Sequence, residues 1–284
     1  MAVVTGAGGG IGAGMAEAFA AEGMHVVVAD IEEASVQATA ERVRAAGVRS
    51  VAVHTDVADP ASVAALADRA FAEFGEVHLL CNNAGVLLFR PMAEMSLQDW
   101  QWLLSVNLFG VIHGIHAFLP RMLAQGGPAT GREHVPSGHR AHIVNTASIA
   151  GLAVGRVRNV GAYHASKYAV VGLSEALRAE LEPAGIGVSM ICPGGVNTRI
   201  AEAERNRPAA MGPASSLGRA GPVNAVGRME PSDIARLVVR GVRENRKFII
   251  THPERRREVA DRCEHLLQAF DQAAAEEQAA EARR

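Results

Sequence analysis

Ala2-Val3-Val4-Thr5-Gly6-Ala7-Gly8-Gly9-Gly10-Ile11-Gly12 decides the fold. A β-branched apolar run enters a glycine cluster, and a helical pattern follows. The glycines fit Gly6-x-x-x-Gly10-x-Gly12, and no Gly-x-Gly-x-x-Gly can be placed on them. Any tight turn uses glycine. Between a first strand and a first helix, however, the missing side chains let a pyrophosphate reach backbone N–H groups at the positive end of the helix.

The same alternation continues along the chain. Short β-branched or apolar runs at 2–5, 25–30, 50–55, 78–82, 141–146, 187–192 and 247–251 predict strands. Helical periodicity lies between them, as in Val63, Leu66, Ala70 and Phe74, or Val170, Leu173, Leu177 and Leu181. Alternating strands and helices predict an α/β fold: a Rossmann-type doubly wound parallel sheet of about seven strands with right-handed crossovers. Continuous apolar strands such as Val26-Val27-Val28 fit a sheet covered by helices on both faces. We read one catalytic domain over 1–254, with a mobile lid at 201–229, then a C-terminal helix and fraying tail over 255–284. That helix is marked by Val259, Cys263, Leu266, Leu267 and Phe270.

Composition excludes several classes. A formal net charge of −2 and a pI near 6.6 make no electrostatic case for nucleic acid or an anionic membrane. The longest apolar stretch, 103–119, carries Asn107, His113 and His116, and reads as a buried helix. Cys81, Cys192 and Cys263 lie far apart without metal-ligand spacing. Buried free thiols in a reducing compartment, and a start without a basic n-region or signal core, predict a cytoplasmic protein.

The second strand ends at Asp30, 18 residues after Gly12, where an acid that reads the adenosine ribose belongs. A 2′-phosphate there would meet like charge, at up to about 4 kcal/mol for a 4 Å separation and an effective dielectric near 20. No Lys or Arg adjoins Asp30 in sequence, so the expectation is NAD rather than NADP.

Tyr163-His164-Ala165-Ser166-Lys167 places one of two tyrosines four positions from one of two lysines. On a helix these share a face. An ammonium about 4 Å from a phenol would offer about 4 kcal/mol to the phenolate, enough to bring its pKa from near 10 to about 7.

These segments together resemble the short-chain dehydrogenase/reductase family over nearly the whole chain. Thr5, Gly6, Gly10, Ile11 and Gly12 resemble its glycine loop, Asp56-Val57 its adenine-contacting pair, and Asn82-Asn83-Ala84-Gly85 its fourth-strand motif. Asn107, Ser148, Tyr163 and Lys167 match its catalytic tetrad, and Pro193-Gly194-Gly195-Val196-Asn197-Thr198 the segment that closes around nicotinamide. The resemblance implies an enzyme that moves a hydride between NAD and a secondary alcohol or ketone. Tyr163 would be the general acid/base, Lys167 would lower its pKa and hold the nicotinamide ribose, Ser148 would bind the substrate oxygen, and Asn107 would fix a water linking Lys167 to solvent. It also implies Asn83, Ala84, Gly85, Pro193, Gly194, Val196 and Thr198 as cofactor contacts.

Ser148 and Tyr163 stand 15 apart, about two more than the family usually shows, which predicts a reshaped substrate pocket. Leu87, Leu88, Phe89, Met92, Leu152, Val154 and Gly195 are expected to line it, giving an apolar, aromatic or alicyclic substrate. Segments 199–211, 230–245 and 248–254 are similar to family members that oxidise benzylic alcohols of lignin-derived compounds. A hydroxysteroid or 3-hydroxyacyl dehydrogenase is the alternative enzyme, and an NAD-sensing regulator without turnover the alternative of another class. His113 and His116 lack an acidic partner, so no metal is expected; 126–140 is expected to be surface decoration. The apolar circumference of 161–181, with family precedent, implies a homodimer or homotetramer.

Overall fold

The computed structural model describes residues 1–125, 140–155, 157–212 and 228–283. The expected insertion at 126–140 and the end of the expected lid therefore lie largely outside the described residues. Seven strands, β1 (Ala2–Thr5), β2 (Val26–Asp30), β3 (Ser50–His54), β4 (Leu79–Asn82), β5 (Ala141–Thr146), β6 (Ile186–Cys192) and β7 (Phe248–Ile250), form one sheet in the order β3-β2-β1-β4-β5-β6-β7. Every pairing is parallel. All seven expected strands are present, with ends shifted by a residue or so.

The sheet sorts its side chains by parity, as a pleat must. Val4, Val26, Val28, Cys81, Val144 and Ile191 face one core with α1 (Gly10–Ala21), α2 (Glu33–Ala45) and α7 (Pro231–Arg243). Val3, Val27, Leu80, Ile143 and Val188 face the other, with α3 (Pro60–Phe74), α5 (Gly110–Ala124) and α6 (Gly161–Leu181). Each fully buried Val, Leu or Ile contributes about 1.5–3 kcal/mol, so two dry faces fix the register and explain why the strands read as apolar throughout.

Polar side chains join the layers where helix position matters for chemistry. Asn82 Nδ2 donates to Asn145 Oδ1 (2.9 Å), Asn145 Nδ2 to Ser174 Oγ (2.9 Å), and Ser174 Oγ to the Val170 carbonyl (2.7 Å). This buried chain runs from β4 through β5 into α6, the helix that carries Tyr163 and Lys167. α4 (Leu97–Leu104), a π turn at Ser105–Phe109 and α5 follow one another without a break. The continuous helix Leu97–Ala124 is long and apolar enough by composition to cross a membrane. It sends Trp102, Leu103, Phe118 and Met122 into the fold's interior.

The tail departs from expectation. α8 (Arg256–Glu281) is continuous to Glu281 rather than frayed, although none of its residues is buried. Its Ala, Glu, Gln and Arg are strong helix formers, and over this length propensity substitutes for missing apolar contacts. Phe270 is 75 % exposed, and the Arg262 guanidinium lies 5.1 Å from the Tyr168 ring centroid. Deleting 265–284 removes no buried side chain among the described residues, so the thermal midpoint should stay within about 2 °C. A fall beyond about 5 °C would show that α8 is held against something.

Candidate active site

In a parallel sheet every strand delivers its carboxyl end to the same edge, and ligands collect where the strand order reverses. Here the reversal lies between β1 and β4. A cavity of about 1590 Å³ opens there, lined by the residues that follow β1, β2, β3, β4, β5 and β6. Of the expected site residues, Gly6, Gly10, Ile11, Asp30, Asp56, Val57, Asn83, Ala84 and Gly85 line one part of it. Ser148, Tyr163, Lys167, Pro193, Gly194, Gly195, Val196 and Thr198 line the rest.

Thr5 and Gly12 do not line the cavity; they hold the loop that does. The Thr5 hydroxyl accepts from the Asn83 (2.9 Å) and Ala84 (3.2 Å) amides, while Asn83 Nδ2 donates to the Thr5 carbonyl (2.9 Å). A Cβ on Gly12 would lie 2.2 Å from the Gly6 carbonyl oxygen, so α1 approaches the loop only because this side chain is missing. Gly9, the N-terminal cap of α1, makes no side-chain hydrogen bond to the first turn, and a Cβ there would meet nothing within 4 Å. Open space thus stands over free amide hydrogens at the positive end of a helix, which fits a pyrophosphate. Asp30 Oδ2 accepts from the Gly8 amide (2.8 Å) and Oδ1 from the Glu32 amide (3.0 Å), fixing the carboxylate at the cavity wall.

Lys167 is buried and Tyr163 half-buried on one face of α6, as their spacing predicts, but their electrostatics differ from expectation. Lys167 Nζ donates to the Thr146 carbonyl (2.7 Å) and lies 5.6 Å from the centre of the Tyr163 ring. Burial pushes the Tyr163 phenol up to about 12, against a lowering hydrogen bond with Ser148. Burial pushes the Lys167 ammonium down to about 8, with Cys192 pulling the other way. In the protein alone, desolvation outweighs the Ser148 hydrogen bond, so the phenol shifts upward rather than in the expected acidic direction, while the lysine shifts downward. The Ser148 hydroxyl donates to the Pro193 carbonyl (3.2 Å) and accepts from the Ala150 amide (3.1 Å), so its oxygen is fixed beside the phenol.

Asn107 is buried in the π turn and does not line the cavity. Its Nδ2 donates to the Val86 carbonyl (3.0 Å) and Ser166 Oγ (3.1 Å), and its Oδ1 accepts from the Val86 amide (2.8 Å). Both amide hydrogens are used, so the side chain joins the β4 loop to α6 and donates no further bond. His113 is likewise accounted for, its Nδ1 2.9 Å from the Val57 carbonyl. Among the described residues no group of His, Cys, Asp and Glu could hold a metal.

The pocket walls are partly as expected. Leu87, Phe89 and Gly195 line the cavity. Leu88 is buried with Trp102 and Leu103, Leu152 packs beside Ile149 and Val171, and Val154 and Met92 are 73 % and 60 % exposed, so these four do not line it. The loop direction, which apolar content does not encode, turns them away. Over the cavity lies 199–211, fastened at both ends. Glu32 receives Arg199 (2.9 Å), Arg205 (2.8 Å) and Asn206 (2.9 Å). Burial works against the Glu32 carboxylate, but Asn206 and the two guanidiniums outweigh it and hold it down to about 2. At the other end Arg207, 3 % exposed, pairs with Asp99 (2.7 Å), which Arg90 also reaches (2.6 Å). Positive charge thus reaches Glu32, two residues beyond Asp30, from far along the chain and already paired.

A family model described as short chain dehydrogenase matches residues 1–209. The chain is 34% identical over 261 residues to the C alpha-dehydrogenase of Sphingobium sp. (strain NBRC 103272 / SYK-6), covering 89% of this chain and 81% of that protein. It is 33% identical over 251 residues to the cyclohexanol dehydrogenase of Acinetobacter sp. (strain SE19), covering 88% and 90%. A short-chain dehydrogenase/reductase from Burkholderia phymatum, solved in complex with NAD, superposes with a TM-score of 0.82 at 40% identity over 94% of each chain. Its doubly wound sheet, its glycine-loop cavity at the strand reversal and these matches agree: the chain belongs to the short-chain dehydrogenase/reductase family of oxidoreductases.

Proposed function

We propose that the protein is an NAD-dependent dehydrogenase of apolar secondary alcohols, with Tyr163 as the group that exchanges the hydroxyl proton. The observation that carries this reading is that Ser148, Tyr163 and Lys167 line the same cavity as the glycine cradle, with Ser148 hydrogen-bonded to the phenol. When bound, the dinucleotide supplies the hydride acceptor for oxidation and the donor for reduction. The cradle from Gly8 to Ile11 would take its pyrophosphate, Asp30 its adenosine ribose, and Asp56 and Val57 would border the adenine. A substrate oxygen placed against the Tyr163 phenol and Ser148 would be held by both as charge develops on it, once the Ser148 hydroxyl turns its hydrogen from the Pro193 carbonyl to that oxygen.

Apolar walls set the substrate class. Leu87, Phe89, Trp102, Val106, Ile149 and Met211 line the substrate side, which favours an aromatic or alicyclic carbinol. The likeness to a cyclohexanol dehydrogenase supports the alicyclic choice.

Three measurements test this. Tyr163→Phe should lower turnover by about 10²–10⁴ while NADH binds as before; retained turnover would remove the tyrosine from its role. In oxidation the tyrosine–lysine pair must begin one proton short, and its first proton leaves near the Lys167 value of about 8. Alcohol oxidation should therefore rise with pH through a limb near 8, and ketone reduction should fall through it. Lys167→Arg keeps a cation that does not titrate, leaves only the phenol, and should move that limb alkaline by about a unit or more; an unmoved limb would contradict the assignment. Asp30→Ala removes the like charge facing a 2′-phosphate, so the NADP-to-NAD ratio of kcat/KM should rise about tenfold or more. A constant ratio would remove Asp30 as the discriminator.

A further inference from the structure

The register of β6 and β7 pairs Cys192 with Ile250, so two residues beyond each strand His252 comes opposite Gly194. His252 is 4 % exposed and borders the cavity. Its ring lies against Gly194: a Cβ there would sit 2.7 Å from the imidazole Cγ. The Gly194 amide donates to Nδ1 (3.0 Å), and Nε2 lies 3.0 Å from the Gly195 carbonyl oxygen. An amide can only donate and a carbonyl can only accept, so Nδ1 is the acceptor and Nε2 carries the hydrogen. The Thr251 hydroxyl, 2.6 Å from Nδ1, completes the contact.

The other bonds of this turn lead to the chemistry. The Pro193 carbonyl accepts from the Ile149 amide (2.9 Å) and from the Ser148 hydroxyl (3.2 Å). The Gly195 carbonyl also accepts from the Met229 amide (3.0 Å). His252 therefore binds the same backbone turn that Ser148 binds through Pro193, and that turn lines the cavity together with Tyr163 and Lys167.

We propose that His252 is a positioning residue for the nicotinamide half of the cofactor: its neutral imidazole fixes the Pro193–Gly195 turn that this half would rest on. The inference rests on the cofactor reading above. It touches neither the glycine cradle nor Asp30, so its effect should be confined to one end of the dinucleotide.

Calorimetric binding of NADH and of ADP-ribose, which lacks the nicotinamide, separates the two ends. An asparagine amide reaches roughly as far as Nδ1 and a glutamine amide roughly as far as Nε2, so His252→Asn keeps the acceptor and His252→Gln the donor. His252→Phe keeps neither. The dissociation constant of NADH should rise about tenfold in His252→Phe and by less in the two amides, while that of ADP-ribose stays within about twofold in all three. If His252→Phe does not fold, the two amides against wild type decide the matter on the same readout. Equal weakening of both ligands, or no weakening of either, would overturn the role of His252. Wild-type protein that binds NADH no more tightly than ADP-ribose would instead overturn the nicotinamide site itself, before any variant is compared.

Discussion

Parallel pairing of all seven strands is the constraint on which everything else depends. Both sheet faces are buried, so register is fixed by two dry cores, and every strand must finish on the same edge. Functional groups are then set by how far past its strand each residue lies. Thr5 and Asn83 join the ends of β1 and β4, Ser148 follows β5, Pro193 follows β6 and His252 follows β7. The helix that carries Tyr163 and Lys167 is joined to the sheet through Asn82, Asn145 and Ser174 rather than by apolar packing alone.

Burial decides the chemistry at that edge. A phenol and an ammonium on one helix face invite a simple charge-pair account, but Lys167 is buried and Tyr163 half-buried at the cavity wall. Desolvation favours the neutral form of each, raising one and lowering the other. The proposed proton exchange therefore starts from a phenol shifted up and an ammonium shifted down to about 8. Ser148 is positioned differently, by a hydroxyl that donates to the Pro193 carbonyl and accepts from the Ala150 amide.

What was legible in the sequence was whatever local spacing encodes. The strand–glycine–helix passage, Asp30 at the end of β2, and Tyr163 with Lys167 on one face all follow from a few neighbouring residues. Contacts made across the chain were not legible. Glu32 meets Arg199 and Arg205 at separations of 167 and 173 residues, and no local pattern marks that pairing. His252 was reachable in principle, since counting two residues beyond two paired strands puts it beside Gly194, but only once the order β6–β7 is known. Leu88, Leu152 and Val154 have the right chemistry for a pocket wall and the wrong direction, which loop geometry sets. The helical tail shows the converse case, where intrinsic propensity outlasts the apolar pattern.

The central claim is direct transfer of hydrogen from a carbinol carbon to the nicotinamide ring under the control of Tyr163. Cyclohexanol carrying deuterium on the carbinol carbon, incubated with the protein and NAD, tests it most directly. Mass spectrometry should find the deuterium on the reduced dinucleotide. Deuterium lost to water, or a reduced dinucleotide formed without it, would contradict the account.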